Sequence, residues 1–212
     1  MQSVKQAAAA IAPTVHVIDD DPGMREGLEA LFRSIGYPVR SFGSAAEFMS
    51  SGHASDSGCL VLDVRLPGIS GLDFQAQLAT AGITMPVVLM TGHGDIPMSV
   101  QGMKAGAVDF LPKPFREQDM LDAVSAAMAR DATSRAEREQ VQDLRDRVAG
   151  LSTREREVMA RVADGKMNKQ IAFDLDLSEI TVKIHRSNAM RKMGAKNLAD
   201  FIKMAGAVKL DA

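Results

Sequence analysis

Cysteine occurs once in 212 residues, as Cys59, which excludes an internal disulfide. The residue sits in an apolar run, where a small buried side chain is the expected role and redox chemistry is not. Long apolar stretches are missing as well: none approaches the roughly 20 residues that a membrane-spanning helix requires. The opening MQSVKQAAAAIAP has neither the long apolar core nor the basic start of an export signal. These absences predict a cytoplasmic protein with no membrane partner, starting with a flexible Ala-rich leader over residues 1–13. A surplus of charge is lacking too, since 25 Lys/Arg face 27 Asp/Glu. The balance is uneven along the chain. Residues 1–128 hold 8 basic against 14 acidic side chains, residues 129–150 hold 5 against 5, and residues 151–212 hold 12 against 8. An acidic front and a basic back imply two partners of opposite charge.

With 46% hydrophobic and 25% charged residues, the chain has an ordinary globular composition, and its length suits two small domains. Over residues 14–128, β-branched runs at 14–19, 38–42, 59–63, 86–91 and 108–111 alternate with amphipathic stretches, the pattern of a parallel sheet covered on both faces. Met24, Leu28, Leu31, Phe32 and Ile35 recur at helical spacing before Gly36, and Leu72, Phe74 and Leu78 mark a third helix. Ser44 and Glu47 have capping-box spacing at the start of the second. The fourth, at 97–105, contains Gly102, which weakens a helix by about 1 kcal/mol relative to Ala. That predicts the softest element of the domain. A fifth helix, 117–128, places Met120, Leu121, Val124 and Met128 on one face. Residues 129–150 are dense in charge and free of proline, which predicts a helical linker. Within it Val141, Leu144, Val148 and Leu151 follow 3, 4, 3 spacing, too short a run for a coiled coil, and predict weak packing on an unidentified surface.

From Leu151 the pattern is wholly helical. Ser152 and Glu155 form another capping box, and Val158, Met159 and Val162 give an apolar face before Gly165. A helix from Asn168, a turn at 176–178, a longer helix at 179–193 and a last one at 197–206 follow. Short helix, tight turn, longer helix is a helix-turn-helix pattern. In the longer helix Val182, His185, Ala189 and Met193 fall on one side, and Lys183, Ile184, Ser187 and Arg191 on the other. A DNA-reading helix needs one packed face and one free face of this kind.

Chemistry concentrates at strand ends. Asp19 and Asp20 follow the first apolar run and Asp63 ends the third, and ligands of open parallel sheets bind beyond the carboxyl ends of the strands. Three carboxylates converging there repel by about 4 kcal/mol per pair at roughly 4 Å, even under an effective dielectric near 20. Such a cluster needs a cation. All-oxygen ligation points to Mg²⁺, which keeps waters that a phosphate oxygen can displace; Zn²⁺ would want His or Cys close by. Thr91 at the end of the fourth run offers a hydroxyl, Lys113 after the fifth offers a point charge, and Gly92 leaves room for a donor. His93 reads as a solvent-facing loop histidine.

The motifs IDDD, LVLDVRLPG, MTGHGD and DFLPKPF, in this order and spacing, resemble the receiver domain of bacterial response regulators over residues 14–128. LSTREREVMARVADGKMNKQIAFDLDLSEITVKIHRSNAMRKM resembles the LuxR-type helix-turn-helix of the FixJ and NarL group, and HGDIPMSVQGMKAGAVDF with MNKQIA is similar to its FixJ branch. The resemblance implies a flavodoxin-like α/β domain with a five-stranded parallel sheet of order 2-1-3-4-5. It further implies a helical linker over 129–150 and an all-α DNA-binding domain over 151–212. It makes Asp63 the phosphoacceptor, Asp20 a direct metal ligand, Asp19 a ligand mostly through water, and Arg65 a ligand through its main-chain carbonyl. Thr91 matches the hydroxyl that moves to the phosphoryl group, Lys113 the cation that pairs with it, and Phe110 the aromatic that swings inward on activation. Pro114 matches a proline after a cis peptide bond. In the second domain Lys183, Ile184 and Ser187 match positions that reach base edges, Ser187 standing where some relatives have lysine. Thr181, Arg186, Asn188, Arg191, Lys192 and Lys169 fit phosphate contacts, which set affinity rather than sequence preference. His185 reads as a packed helix-face histidine.

The expected function is a phosphorylation-activated transcriptional regulator, with a sensor histidine kinase, Mg²⁺ and promoter DNA as partners and a homodimer as the active form. Such a protein is no enzyme beyond self-phosphorylation from small donors and self-dephosphorylation. Two alternatives stand beside it: a metal-dependent phosphohydrolase using the same pocket chemistry, and a phosphorylation-independent regulator, against which the complete set Asp19, Asp20, Asp63, Thr91 and Lys113 argues.

Overall fold

The computed structural model describes residues 12–92 and 96–207. Contacts divide the chain into two compact units between Ser134 and Arg135. The first holds the strands β1 (Thr14–Ile18), β2 (Val39–Phe42), β3 (Gly58–Asp63), β4 (Val87–Thr91) and β5 (Asp109–Pro112). All neighbours run parallel, in the order β2-β1-β3-β4-β5. The expected sheet is therefore present, with each strand within a residue or two of its sequence reading.

Alternation along the strands produces two separate cores, because successive side chains of a strand point to opposite faces. Val15, Val17, Cys59, Val61, Val88 and Met90 face one way. There they meet Leu28 and Phe32 of α1 (Pro22–Ser34) and Met120, Val124 and Ala127 of α5 (Glu117–Ala149). Ile18, Leu60, Leu62 and Leu89 face the other way, against Phe48 of α2 (Ala45–Ser50) and Leu72, Phe74 and Leu78 of α3 (Gly71–Thr80). Cys59 is fully buried, and burial pushes its thiol up to about 12, as befits an inert core residue.

One local expectation changes, and one residue gains a packing reason. Ser44 accepts from the Glu47 N–H, but the Glu47 carboxylate takes the Gly43 N–H at 2.7 Å rather than that of Ser44. The box is thus shifted by one donor. Gly102, in α4 (Ile96–Lys104), also serves packing: a Cβ there would lie 2.5 Å from Leu89 Cδ1. Glycine lets α4 press closely on β4.

The second unit contains α6 (Thr153–Ala163), α7 (Asn168–Leu175), α8 (Glu179–Met193) and α9 (Leu198–Ala207). Its core joins Val158, Met159, Ile171, Val182, Ala189, Met193 and Phe201. The Ser152 and Glu155 capping box is complete. Residues 129–149 are helical, as the last part of α5, and their apolar spacing finds its partner here: Val148 and Leu151 are buried in this core and Leu144 packs against it. Arg147 donates to the Met193 carbonyl at 2.7 Å, so the end of α5 is tied to the end of α8. Among the described residues no helix is long and apolar enough to cross a membrane.

Candidate acidic pocket and nucleic-acid interface

The three aspartates after β1 take three different jobs. Asp21 caps α1, its Oδ1 accepting from the N–H groups of Gly23 and Met24. Asp19 is fully buried and Asp20 exposed. Asp63, at the tip of β3, is 6% exposed. One oxygen from each of Asp19, Asp20 and Asp63 lies within 4.8 Å of the others. The strand register explains the convergence, since β1 and β3 are central neighbours that end side by side.

Lys113, expected to bring a point charge to this pocket, reaches two of the three acids. Its Nζ donates to Asp19 Oδ2 at 2.7 Å and to Asp63 Oδ2 at 2.9 Å. Burial raises the Asp19 carboxyl above its usual range, and the Lys113 hydrogen bond only partly offsets this. Burial alone would pull Lys113 down, but its bonds to Asp19 and Asp63 outweigh that and raise it. The position of the ammonium follows from β5: the Lys113 N–H donates to the Thr91 carbonyl at 2.7 Å, beside the cis bond between Lys113 and Pro114.

Around this centre, Thr91 is fully buried at the end of β4. Phe110 is half-buried on β5 against the core on the α3 side. The Arg65 side chain is exposed while its N–H donates to Asp63 Oδ1 at 3.2 Å. Gly71 closes the loop behind Asp63, and a Cβ there would fall 2.3 Å from the Asp63 carbonyl oxygen. His93 lies outside the described residues. The donor set suits a hard divalent cation, because it is all oxygen and carries more negative charge than one ammonium balances.

The second site is a surface. On α8, Val182, Ala189 and Met193 are buried and His185 is half-buried, while Lys183, Ile184, Ser187 and Arg191 are exposed. Ile184 is 55% exposed, a large apolar side chain on a free face. The other cations divide by what they already hold. Arg186 donates to Asn168 Oδ1 at 3.0 Å, and Arg191 to Asn188 Oδ1 at 3.3 Å. Lys192 binds Glu155 at 2.7 Å, which lowers the Glu155 carboxyl, and reaches the Gly150 carbonyl at 3.3 Å. Lys192 thus serves as a brace within the unit. Thr181 shares a hydroxyl hydrogen bond with Ser178, the residue that caps α8, and Lys169 is exposed on α7.

Sequence reasoning missed one buried acid. Asp131, on α5 beyond the expected domain end, accepts from the Gly58 N–H at 2.9 Å and from Ser57 Oγ at 3.1 Å. A charged residue in a charge-dense helix carries no signal of burial. Only the small residues Ala123 and Ala127 upstream, one turn apart, hint that this face keeps to the sheet.

Known proteins match both units. Residues 15–125 match the response regulator receiver domain, and residues 149–205 the bacterial regulatory proteins of the luxR family. Nodulation protein W of Bradyrhizobium diazoefficiens is 52% identical over 198 residues, covering 93% of this chain and 87% of that protein. Transcriptional regulatory protein FixJ of Azorhizobium caulinodans is 46% identical, with 90% of each chain covered. Among solved structures, response regulator StyR superposes with a TM-score of 0.82 at 44% identity, over 92% of this chain and 99% of that one. Full-length FixJ from B. japonicum superposes with a TM-score of 0.56 at 36% identity, over 94% and 98%. The acid cluster at the strand ends and the half-exposed helix of the second unit therefore fall in a known pairing, and the chain belongs to the response regulators that join a receiver domain to a LuxR-type DNA-binding domain.

Proposed function

We propose that Asp63 accepts a phosphoryl group from a sensor histidine kinase and that this modification switches on DNA binding. The observation that carries the reading is the Asp63 carboxylate, nearly buried at a strand tip, held by Lys113 and grouped with Asp19 and Asp20. In the transfer, a carboxylate oxygen of Asp63 attacks phosphorus, the bond from phosphorus to the kinase imidazole breaks, and the imidazole keeps the electron pair. Lys113 follows the new charge, and the Thr91 hydroxyl donates to a phosphoryl oxygen. Asp19, Asp20, Asp63 and the Arg65 main-chain carbonyl would hold Mg²⁺. When bound, the ion supplies charge neutralisation at the phosphoryl oxygens. The chain is no enzyme in this reading beyond self-phosphorylation from small donors and self-dephosphorylation.

Phosphorylation replaces one negative charge by about two. Thr91 and Phe110 then reposition, and the face formed by α4 and β5 pairs two receivers. Two α8 helices come to lie about one DNA turn apart, on a roughly palindromic site. Lys183 addresses guanine acceptors and Ile184 a thymine methyl, with Ser187 beside them. Thr181, Lys169, Arg186, Asn188 and Arg191 contact phosphates. In domain terms, 14–128 is the switch, 129–150 the helical connection and 151–212 the reader, working in the cytoplasm.

Beryllofluoride with Mg²⁺ tests this directly. Light scattering should show the mass doubling, and DNA affinity should rise, in the wild type and not in Asp63→Asn. Unchanged mass and affinity in the wild type would refute the switch.

A further inference from the structure

Of the three carboxylates grouped at the strand ends, two are held directly. Asp19 accepts at both oxygens, from the Asp21 N–H at 2.9 Å on Oδ1 and from Lys113 at 2.7 Å on Oδ2. Asp63 accepts from the Arg65 N–H at 3.2 Å and from Lys113 at 2.9 Å. The Asp20 carboxylate is different, being exposed and hydrogen-bonded to none of the described residues. Its backbone must therefore aim it at the other two.

Peptide units are planar, so fixing the unit on each side of a residue fixes its φ and ψ and the direction of its Cα–Cβ bond. Both units around Asp20 are pinned. The one that follows is held through the Asp21 N–H, which Asp19 Oδ1 accepts in a turn closed by an aspartate side chain. The one that precedes is held through the Asp19 carbonyl, which accepts from Arg25 Nη1 at 2.7 Å. Arg25 is half-buried in the first turn of α1, its own N–H bonded to the Asp21 carbonyl at 3.1 Å. The guanidinium lies beside the loop after β2, where a Cβ on Gly43 would sit 3.7 Å from Nη1. With three acids clustered around the turn it holds, Arg25 still forms no ion pair with any described residue. The pocket uses its reach rather than its charge.

We propose that Arg25 is a positioning residue for the cation site: by holding the Asp19 carbonyl it fixes the peptide unit before Asp20 and aims the Asp20 carboxylate towards Asp19 and Asp63. The inference rests on the reading that these three acids hold Mg²⁺. Residues that orient a metal ligand without touching the metal change its affinity by about 10- to 100-fold when removed. Charge alone predicts the opposite sign, because deleting a cation near a Mg²⁺ site removes repulsion and tightens binding. The direction of the change therefore separates the two roles.

Mg²⁺ titrated into the full chain at pH 7 and constant ionic strength, followed by amide NMR, supplies the test. Arg25→Met removes the donor and the charge and should weaken Mg²⁺ binding about tenfold, while the metal-free spectrum changes only around the turn from β1 to α1. Arg25→Gln, too short to reach the Asp19 carbonyl, should do the same and serves in its place if the Met variant does not fold. Arg25→Lys keeps one donor and should bind more tightly than either neutral variant, although the charge it restores repels Mg²⁺. The proposal is overturned if the neutral variants bind Mg²⁺ as tightly as the wild type or more tightly, or if Arg25→Lys binds no better than they do. Metal-free spectra altered throughout the first unit would make Arg25 a brace of the fold and overturn it as well. A wild type with no saturable Mg²⁺ shifts would instead sink the cation reading itself, and this inference with it, an outcome that the wild-type titration alone reveals.

Discussion

The two units place their candidate functional charges in opposite ways. In the first, Asp19, Asp63 and Lys113 are withdrawn from water and hold one another. In the second, Lys183 and Arg191 stand on an open face, and the buried residues beneath them are apolar. Phosphoryl chemistry gains from a dry, preorganised pocket where charge interactions are strong. Reading a duplex needs side chains that can reach it, and exposed charge costs the fold little. The contrast predicts that charges in the first unit are structural as well as chemical, and that those on the α8 face are not.

Removing Lys113 should test the contrast hardest. Lys113→Met leaves Asp19 and Asp63 without their shared cation, and breaking a buried charge pair costs about 3 kcal/mol or more. Urea unfolding at pH 7, with metal chelated, should show that loss. Added Mg²⁺ should restore part of it, if the acids hold the ion. A variant as stable as the wild type without metal would mean that the pocket is wetter than its burial implies.

How much of this was legible follows the same division. Strand ends announce themselves, because an apolar run stops on a carboxylate, so Asp19, Asp20 and Asp63 stood out. The α8 faces were readable from a 3.6-residue period. Contacts between distant positions away from the strand ends were not: Asp131 reaches Gly58 across 73 residues. Nor does composition tell a solvated linker from one whose end joins a core, as Val148 and Arg147 do. The packing role of Gly102 was hidden for the same reason. Its value lies in the approach of Leu89, which local helix propensity cannot contain.

A subtler test uses His16, a fully buried group of the first unit with neither ring nitrogen hydrogen-bonded. Burial lowers its pKa to about 4, Asp56 resists, and His53 and Arg40 press it further down. The unfolded chain takes up this proton near the ordinary 6.5, the folded chain only near 4. The folded state therefore binds fewer protons in that window. Stability should fall as pH drops from 6.5 towards 4, by at most about 1.4 kcal/mol per pH unit. Asp19 works the other way, since its raised carboxyl is protonated first in the folded state and stabilises it on acidification. Unfolding curves over this range should flatten in His16→Leu. An identical slope in both proteins would assign the acid limb to other groups.

The smallest stability effect is expected on the α8 face, and it is the control that gives the others meaning. Lys183 is exposed, and a surface substitution without buried partners usually shifts stability by no more than about 0.5 kcal/mol. Lys183→Met keeps the length of the side chain and its helix propensity, so thermal unfolding should not change. DNA binding should: loss of a base contact costs about 1–3 kcal/mol and relaxes discrimination at one base pair. Lys192 provides the internal comparison, because its ammonium is committed to Glu155 and the Gly150 carbonyl. Lys192→Met should therefore lower stability more than Lys183→Met does and weaken DNA binding less. If the two variants behave alike in both measurements, the division between bracing and reading charges on α8 is wrong, and the helix is a uniform basic surface.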